Sequence, residues 1–179
     1  MHALDAPVQA LIRDVATRIV MPRFRQLAPA EIEEKAPDEL VTIADKESEI
    51  ALAEGLTRLL PDSRVVGEEA VSADPSVLDG IGQGVAWIVD PIDGTANFAA
   101  GETPFGIMVA LAIDGVSEAG WLYDPVADRL CSAIRGQGAF INGARTTTRT
   151  SGEAIPVAGL STRYLPPELR EDEIGRAHV

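Results

Sequence analysis

The chain has 179 residues and a formal net charge of −13, so one domain is the default, and nucleic-acid phosphate or an anionic membrane is not an expected partner. Hydrophobic residues make up 46% of the chain, enough for a core built from Ala, Val, Ile and Leu. The single cysteine, Cys131, rules out an internal disulfide. No run approaches a membrane span, and Met1-His2-Ala3-Leu4-Asp5 lacks an export signal, so a cytoplasmic setting is expected.

Residues 4–27 predict one helix, with Leu4, Val8, Leu11, Ile12, Val15, Ile19 and Val20 at helical spacing and Pro22 kinking its last turns. Residues 28–42 read as a polar connection. A second helix is expected from Asp45 to Leu60, with Ile50, Leu52, Ala53, Leu56, Leu59 and Leu60 on its apolar face and Pro61 as its stop. Arg64-Val65-Val66-Gly67 predicts a short strand leading into Glu68-Glu69, and residues 70–83 read as irregular, with a helical turn near Pro75. Strands follow at Val85–Val89, Phe105–Ile113, Val116–Tyr123, Arg129–Arg135, Ala139–Ile141 and from Pro156 to Leu160. Asp114-Gly115 and Asn142-Gly143 mark turns between them. Two helices before about six strands predict an α+β fold, the helices packed on an antiparallel sheet. Ile174–Val179 match the translation of a common sequencing adapter, so residues 164–179 are expected to be an irregular tail with a non-native end.

Absences narrow the chemistry. His2 and His178 are the only histidines, which leaves no internal histidine base. Cys131 does not begin a Cys-x5-Arg loop, neither Lys35 nor Lys46 lies in a phosphate-cradling glycine loop, and no dinucleotide fingerprint is complete. Carboxylates, hydroxyls and metals remain.

Asp90-Pro91-Ile92-Asp93-Gly94-Thr95 carries the strongest signal. Hard divalent cations take oxygen ligands, often carboxylates shared with substrate phosphates, and a helix start offers N–H groups to an anion. A simple Asp-Gly turn is the plain alternative. An Asp-x-Asp-Gly-Thr phosphotransfer motif would place its second acid two residues on. Here the spacing is three, which favours direct metal ligation and an activated water over an aspartyl-phosphate. Glu68 and Glu69 read either as a solvated pair or as the source of a third ligand, with one of them reaching the metals if adjacent side chains alternate along a strand. Asp45 reads as an N-cap for the second helix, a role compatible with one in the site. Thr95 reads as a cap or as a hydroxyl that passes its hydrogen to a carboxylate, and Lys35 as a solvated charge, with a place near a substrate anion as the lesser reading.

Together these segments resemble the inositol monophosphatase family of Mg²⁺-dependent, lithium-sensitive phosphomonoesterases. The resemblance rests on Leu40-Val41-Thr42 with Asp45, Gly67-Glu68-Glu69, and Trp87 through Phe98 around the Asp-Pro-Ile-Asp-Gly-Thr run. Pro104-Phe105, Gly120 with Tyr123-Asp124-Pro125, and Gly136-Gln137-Gly138-Ala139 with Asn142-Gly143 extend it. It implies the N-terminal half of a layered αβαβα fold in residues 1–163, with the C-terminal α/β domain absent and the Phe105–Tyr123 sheet region left uncovered. It implies two or three Mg²⁺ ions, inhibited by Li⁺: Glu68, Asp90 and the Ile92 carbonyl on the first, Asp90 and Asp93 on the second. Gly94 and Thr95 are implied to take the phosphate, and Asp93 a substrate hydroxyl. Thr95 paired with Asp45, together with Glu68, is implied to orient the attacking water. Ala96 stands where the family frequently has a second Thr, and the Trp-Asp pair that completes the family's second metal site does not occur. The implied substrate is a small phosphorylated polyol or sugar, inositol monophosphate by default, with histidinol phosphate, fructose 1,6-bisphosphate and 3′-phosphoadenosine 5′-phosphate as alternatives. The full-length form is implied to be a homodimer. The rival expectation is an inactive fragment, or a remnant that binds metal and phosphate.

Overall fold

The computed structural model describes residues 3–36, 39–148 and 152. The chain forms two units, Met1–Thr147 and Thr148–Val179. The strand expected from Pro156 and the tail from residue 164 lie outside the described residues.

Helix α1 runs Asp5–Val15 and buries Val8, Ile12 and Val15. It then widens into a π-helical turn, Ala16–Val20, where the Met21 N–H reaches the Ala16 carbonyl at 2.8 Å. The single helix expected to residue 27 therefore ends early. Pro22 has no N–H to continue the ladder, and its ring crowds the preceding turn. The stretch read as a polar connection instead holds an antiparallel pair, β1 (Ile32–Ala36) with β2 (Glu39–Thr42). Both faces of β1 are at least partly exposed, so it carries no alternation for a sequence reading to find. Helix α2 (Ile43–Leu59) starts on a capping box in which Thr42 and Asp45 satisfy each other's backbone. Its buried face is Ala44, Asp45, Ser48, Leu52, Gly55 and Leu56, while Ile50, expected on the apolar face, is 61% exposed.

The main sheet runs in chain order: β3 (Arg64–Gly67), β4 (Val85–Asp93), β5 (Gly106–Ile113), β6 (Val116–Asp124), β7 (Arg129–Ile134), β8 (Gly138–Ile141) and β9 (Ala144–Thr146). It is antiparallel except that β3 pairs parallel with β4. The sheet is thus mixed, and β9 extends it beyond the strands expected within this stretch. The connection from β3 to β4 carries helix α3 (Glu68–Ala73), where irregular chain was expected from residue 70, and a 3₁₀ turn, Pro75–Leu78, at the helical turn expected near Pro75.

The core lies between α1, α2 and one face of this sheet. Val8, Ile12, Val15, Leu52 and Leu56 pack with Trp87, Val89, Ile107, Val109, Leu111, Trp121 and Leu130. The period-two alternation of the strands puts Ile88, Leu122 and Ile141 on the other face, where each remains 37–40% exposed. That face forms an apolar trough of about 720 Å³ with Glu68 and Asp90 in its wall. No helix among the described residues is long and apolar enough to cross a membrane.

One polar contact ties the helical layer to the sheet. Asp5 is 4% exposed, and its Oδ1 accepts from the Trp121 indole N–H at 2.8 Å and from the Gln9 amide at 2.9 Å. Trp121→Phe keeps an aromatic side chain, smaller than the indole, and removes the N–H that donates to that buried carboxylate. It is expected to cost about 1–3 kcal/mol, read as a lower urea midpoint.

Candidate metal and phosphate site

Strand β4 supplies both aspartates, and its register explains how. Asp90 pairs with Met108 and Asp93 with Gly106, so three residue steps on β4 span two on β5. Residues three apart would face opposite sides of a regular strand. The extra residue at Pro91-Ile92 resets the alternation, and the Asp93 charge acts on Asp90. The chain then turns at Gly94, whose φ of 90° favours glycine. A Cβ there would sit 3.0 Å from the Pro104 carbonyl oxygen. Helix α4 (Thr95–Ala100) begins immediately after it.

Thr95 joins three segments. Its hydroxyl lies 2.9 Å from the Ile92 carbonyl and 3.1 Å from Asp45 Oδ1. With one hydrogen to share, it divides its donation between the two. Asp45 is fully buried, and its other oxygen accepts from the Thr42 N–H at 2.8 Å and the Thr42 hydroxyl at 2.5 Å. Burial pushes its carboxyl upward, and the Thr42 and Thr95 bonds oppose that shift. Asp45 is thus not the N-cap expected, which is Thr42, but the third helical residue of its capping box, and that role shares one side chain with the contact to Thr95.

Asp90 Oδ1 is buried with no hydrogen-bond partner. Its carboxyl is pushed up to about 7, by burial first, then by the charges of Glu68 and Asp93, while the Ile92 N–H offsets part of the effect. Glu68 and Glu69 do not alternate along a strand as expected. They open α3, and both reach Lys35 Nζ, at 3.1 and 2.9 Å. Lys35, expected to be solvated, has a side chain only 16% exposed. Burial raises the Glu69 carboxyl, and Lys35 counters it.

The structure thus brings Asp90 together with Glu68 and Asp93, and separately Thr95 with Asp45 and Ile92. Among the described residues, no three His, Cys, Asp or Glu side chains stand close enough to enclose a cation as they are placed. Lys35 is the positive charge that Glu68 and Glu69 hold. The donor set still fits a hard divalent ion. It is all oxygen, it includes a carboxylate oxygen buried without a partner, and burial first, then the charges of Glu68 and Asp93, disfavour the charged form of Asp90, a penalty that a cation would relieve.

Glu49 was missed in the sequence. It lies on α2 four residues after Asp45, a spacing that sets both acids on one helix face, and that spacing was the available signal. Its carboxylate accepts from the Glu69 and Ala70 N–H groups at 2.7 and 2.9 Å.

The inositol monophosphatase family model matches residues 2–171. The chain belongs to the inositol monophosphatase family. It is 37% identical over 111 residues to the Nus factor SuhB of Pasteurella multocida, covering 62% of this chain and 40% of that protein. It is 35% identical over 140 residues to the inositol-1-monophosphatase of Bacillus subtilis, covering 78% and 50%. Among solved structures, the Thermotoga maritima IMPase TM1415 superposes with a TM-score of 0.72 at 28% identity, over 84% of this chain and 55% of that one. The chain spans about half the length of these inositol monophosphatase relatives.

Proposed function

We propose that this chain carries the metal- and phosphate-binding half of a Mg²⁺-dependent phosphomonoesterase acting on a small phosphorylated polyol or sugar. The observation that carries the reading is the buried, unpartnered Asp90 oxygen between two further carboxylates, beside the Thr95–Asp45 pair. Glu68, Asp90 and the Ile92 carbonyl would hold one Mg²⁺, and Asp90 with Asp93 a second. When bound, the ions supply a water of lowered pKa and neutralise charge on the phosphate. Thr95, giving its hydrogen to Asp45, would leave its oxygen lone pairs free to accept from the attacking water, and Glu68 would help to orient that water. Gly94 and Thr95 would receive the phosphate at the start of α4, and Asp93, which is exposed, would meet a substrate hydroxyl.

Inositol monophosphate is the substrate we favour, supported by family membership and by the name of the Bacillus subtilis relative. A homodimer in the full-length form, a cytoplasmic setting and no nucleic-acid partner belong to the same reading, the last supported by the net charge of −13. A second reading, binding of cation and phosphate without turnover, is favoured by the 50% coverage of that relative. Phosphate release from inositol 1-phosphate, with and without Mg²⁺, separates the two when measured on this chain and on a version extended at its C-terminus. Turnover in either form only with Mg²⁺ supports the esterase. Silence in both leaves the binding role.

A further inference from the structure

We infer that Glu49 is a positioning residue for the cation site: its carboxylate, seated against the bare Cα of Gly67, fixes where Glu68 projects toward Asp90. The inference rests on the metal reading above. Glu49 reaches from α2 to the junction of β3 and α3 and accepts the N–H groups of Glu69 and Ala70. Gly67 makes this approach possible. Its φ is −102°, a conformation open to any residue, so glycine is there for space. A Cβ at that position would stand 2.1 Å from Glu49 Cδ.

Glu68 therefore lies between a residue with no side chain and a residue whose N–H is held by α2. The same helix carries Asp45. One rigid element thus sets both Glu68 and the partner of Thr95, although the rest of α2, a turn and strand β3 separate Glu68 from Asp45. A helix cap alone would not need a charge here. A carboxylate at this place is half-buried and faces the charge of Glu68. A neutral acceptor would cap α3 without adding like charge beside a ligand. Lys35, which holds Glu68 and Glu69, partly offsets the charge on Glu49 as well. This links all three acids to one lysine.

The test uses Mn²⁺ as the probe, titrated by calorimetry into the unsubstituted chain and into Glu49→Gln, Gly67→Ala and the double variant Gly67→Ala with Glu49→Asp. Gln keeps the shape but offers one acceptor oxygen where two N–H groups need satisfying. The alanine pushes the carboxylate from the other side. Each single change is expected to weaken Mn²⁺ binding about 10-fold or more, as outer supports of metal ligands do. The shorter Asp withdraws by one methylene and makes room for the alanine, so the double variant is expected to recover affinity beyond the sum of the single losses. Circular dichroism and a thermal melt confirm that each variant is folded, and if Gly67→Ala does not fold, Glu49→Gln decides. A folded Glu49→Gln that binds Mn²⁺ as tightly as the unsubstituted chain overturns the inference and leaves the metal reading standing. An unsubstituted chain that binds no Mn²⁺ overturns the metal reading and the inference with it.

Discussion

Asp90→Asn is expected to abolish Mg²⁺-dependent phosphate release, with a loss of several orders of magnitude in a full-length form, while making the metal-free protein more stable above neutral pH. The two effects have one cause. Asp90 is placed where a charge is unfavourable unless a cation is bound. Its folded-state pKa of about 7 lies above the ordinary 3.8. Below about pH 4 the group is protonated in both states and no stability is lost. As pH rises toward 7 the unfolded chain releases the proton while the folded chain keeps it, so stability falls. Above 7 the loss is complete. Asn does not titrate, so the variant's advantage should open between those limits and reach on the order of 1–3 kcal/mol. Urea midpoints at about pH 5 and about pH 8 read this difference. Added Mg²⁺ should reverse the order by stabilising only the unsubstituted protein. Equal midpoints at the higher pH, or near-normal turnover in the variant, would count against the assignment of Asp90.

Asp45→Asn should separate position from proton handling. The shape is kept, and the remaining oxygen can still accept from the Thr42 N–H, so the cap of α2 survives with a cost of about 1 kcal/mol. The amide N–H₂ then faces Thr95 and donates. Thr95 can no longer give its hydrogen to a carboxylate, and its donation turns wholly to the Ile92 carbonyl. A fall in kcat of about 10²–10⁴ is expected, with KM changed little because Asp45 is buried and does not meet substrate. Steady-state kinetics on a full-length form check it. A rise in KM at unchanged kcat would place Asp45 in binding instead.

The legible parts of the molecule were those with local causes. Val8, Ile12 and Val15 recur at helical spacing and are buried together. Asp114-Gly115 and Asn142-Gly143 turn the chain where expected, with Asp114 and Asn142 at φ of 48° and 47°. The Asp90-to-Thr95 run could be read because ligand, turn and helix start follow one another. What could not be read depended on distant partners. Helix α3 begins at Glu68 because Glu49 caps it, and nothing in Gly67-Glu68-Glu69 announces that. Lys35 leaves solvent because two glutamates, 33 and 34 positions away, meet it. The parallel pairing of β3 is a property of the connection, not of four residues, Arg64–Gly67, that would suit either direction.

That parallel pairing has a kinetic consequence. From β4 onward the successive sheet strands are antiparallel neighbours, whereas β3 is brought round to β4 by the stretch from Glu68 to Gly84. Closing that stretch precedes any meeting of Glu68 with Asp90, and such non-local closure is slow to form. A divalent ion that needs Glu68 as well as Asp90 therefore cannot be held by both until that stretch has closed. Its hold should lengthen the lifetime of the finished molecule and leave the speed of its formation unchanged.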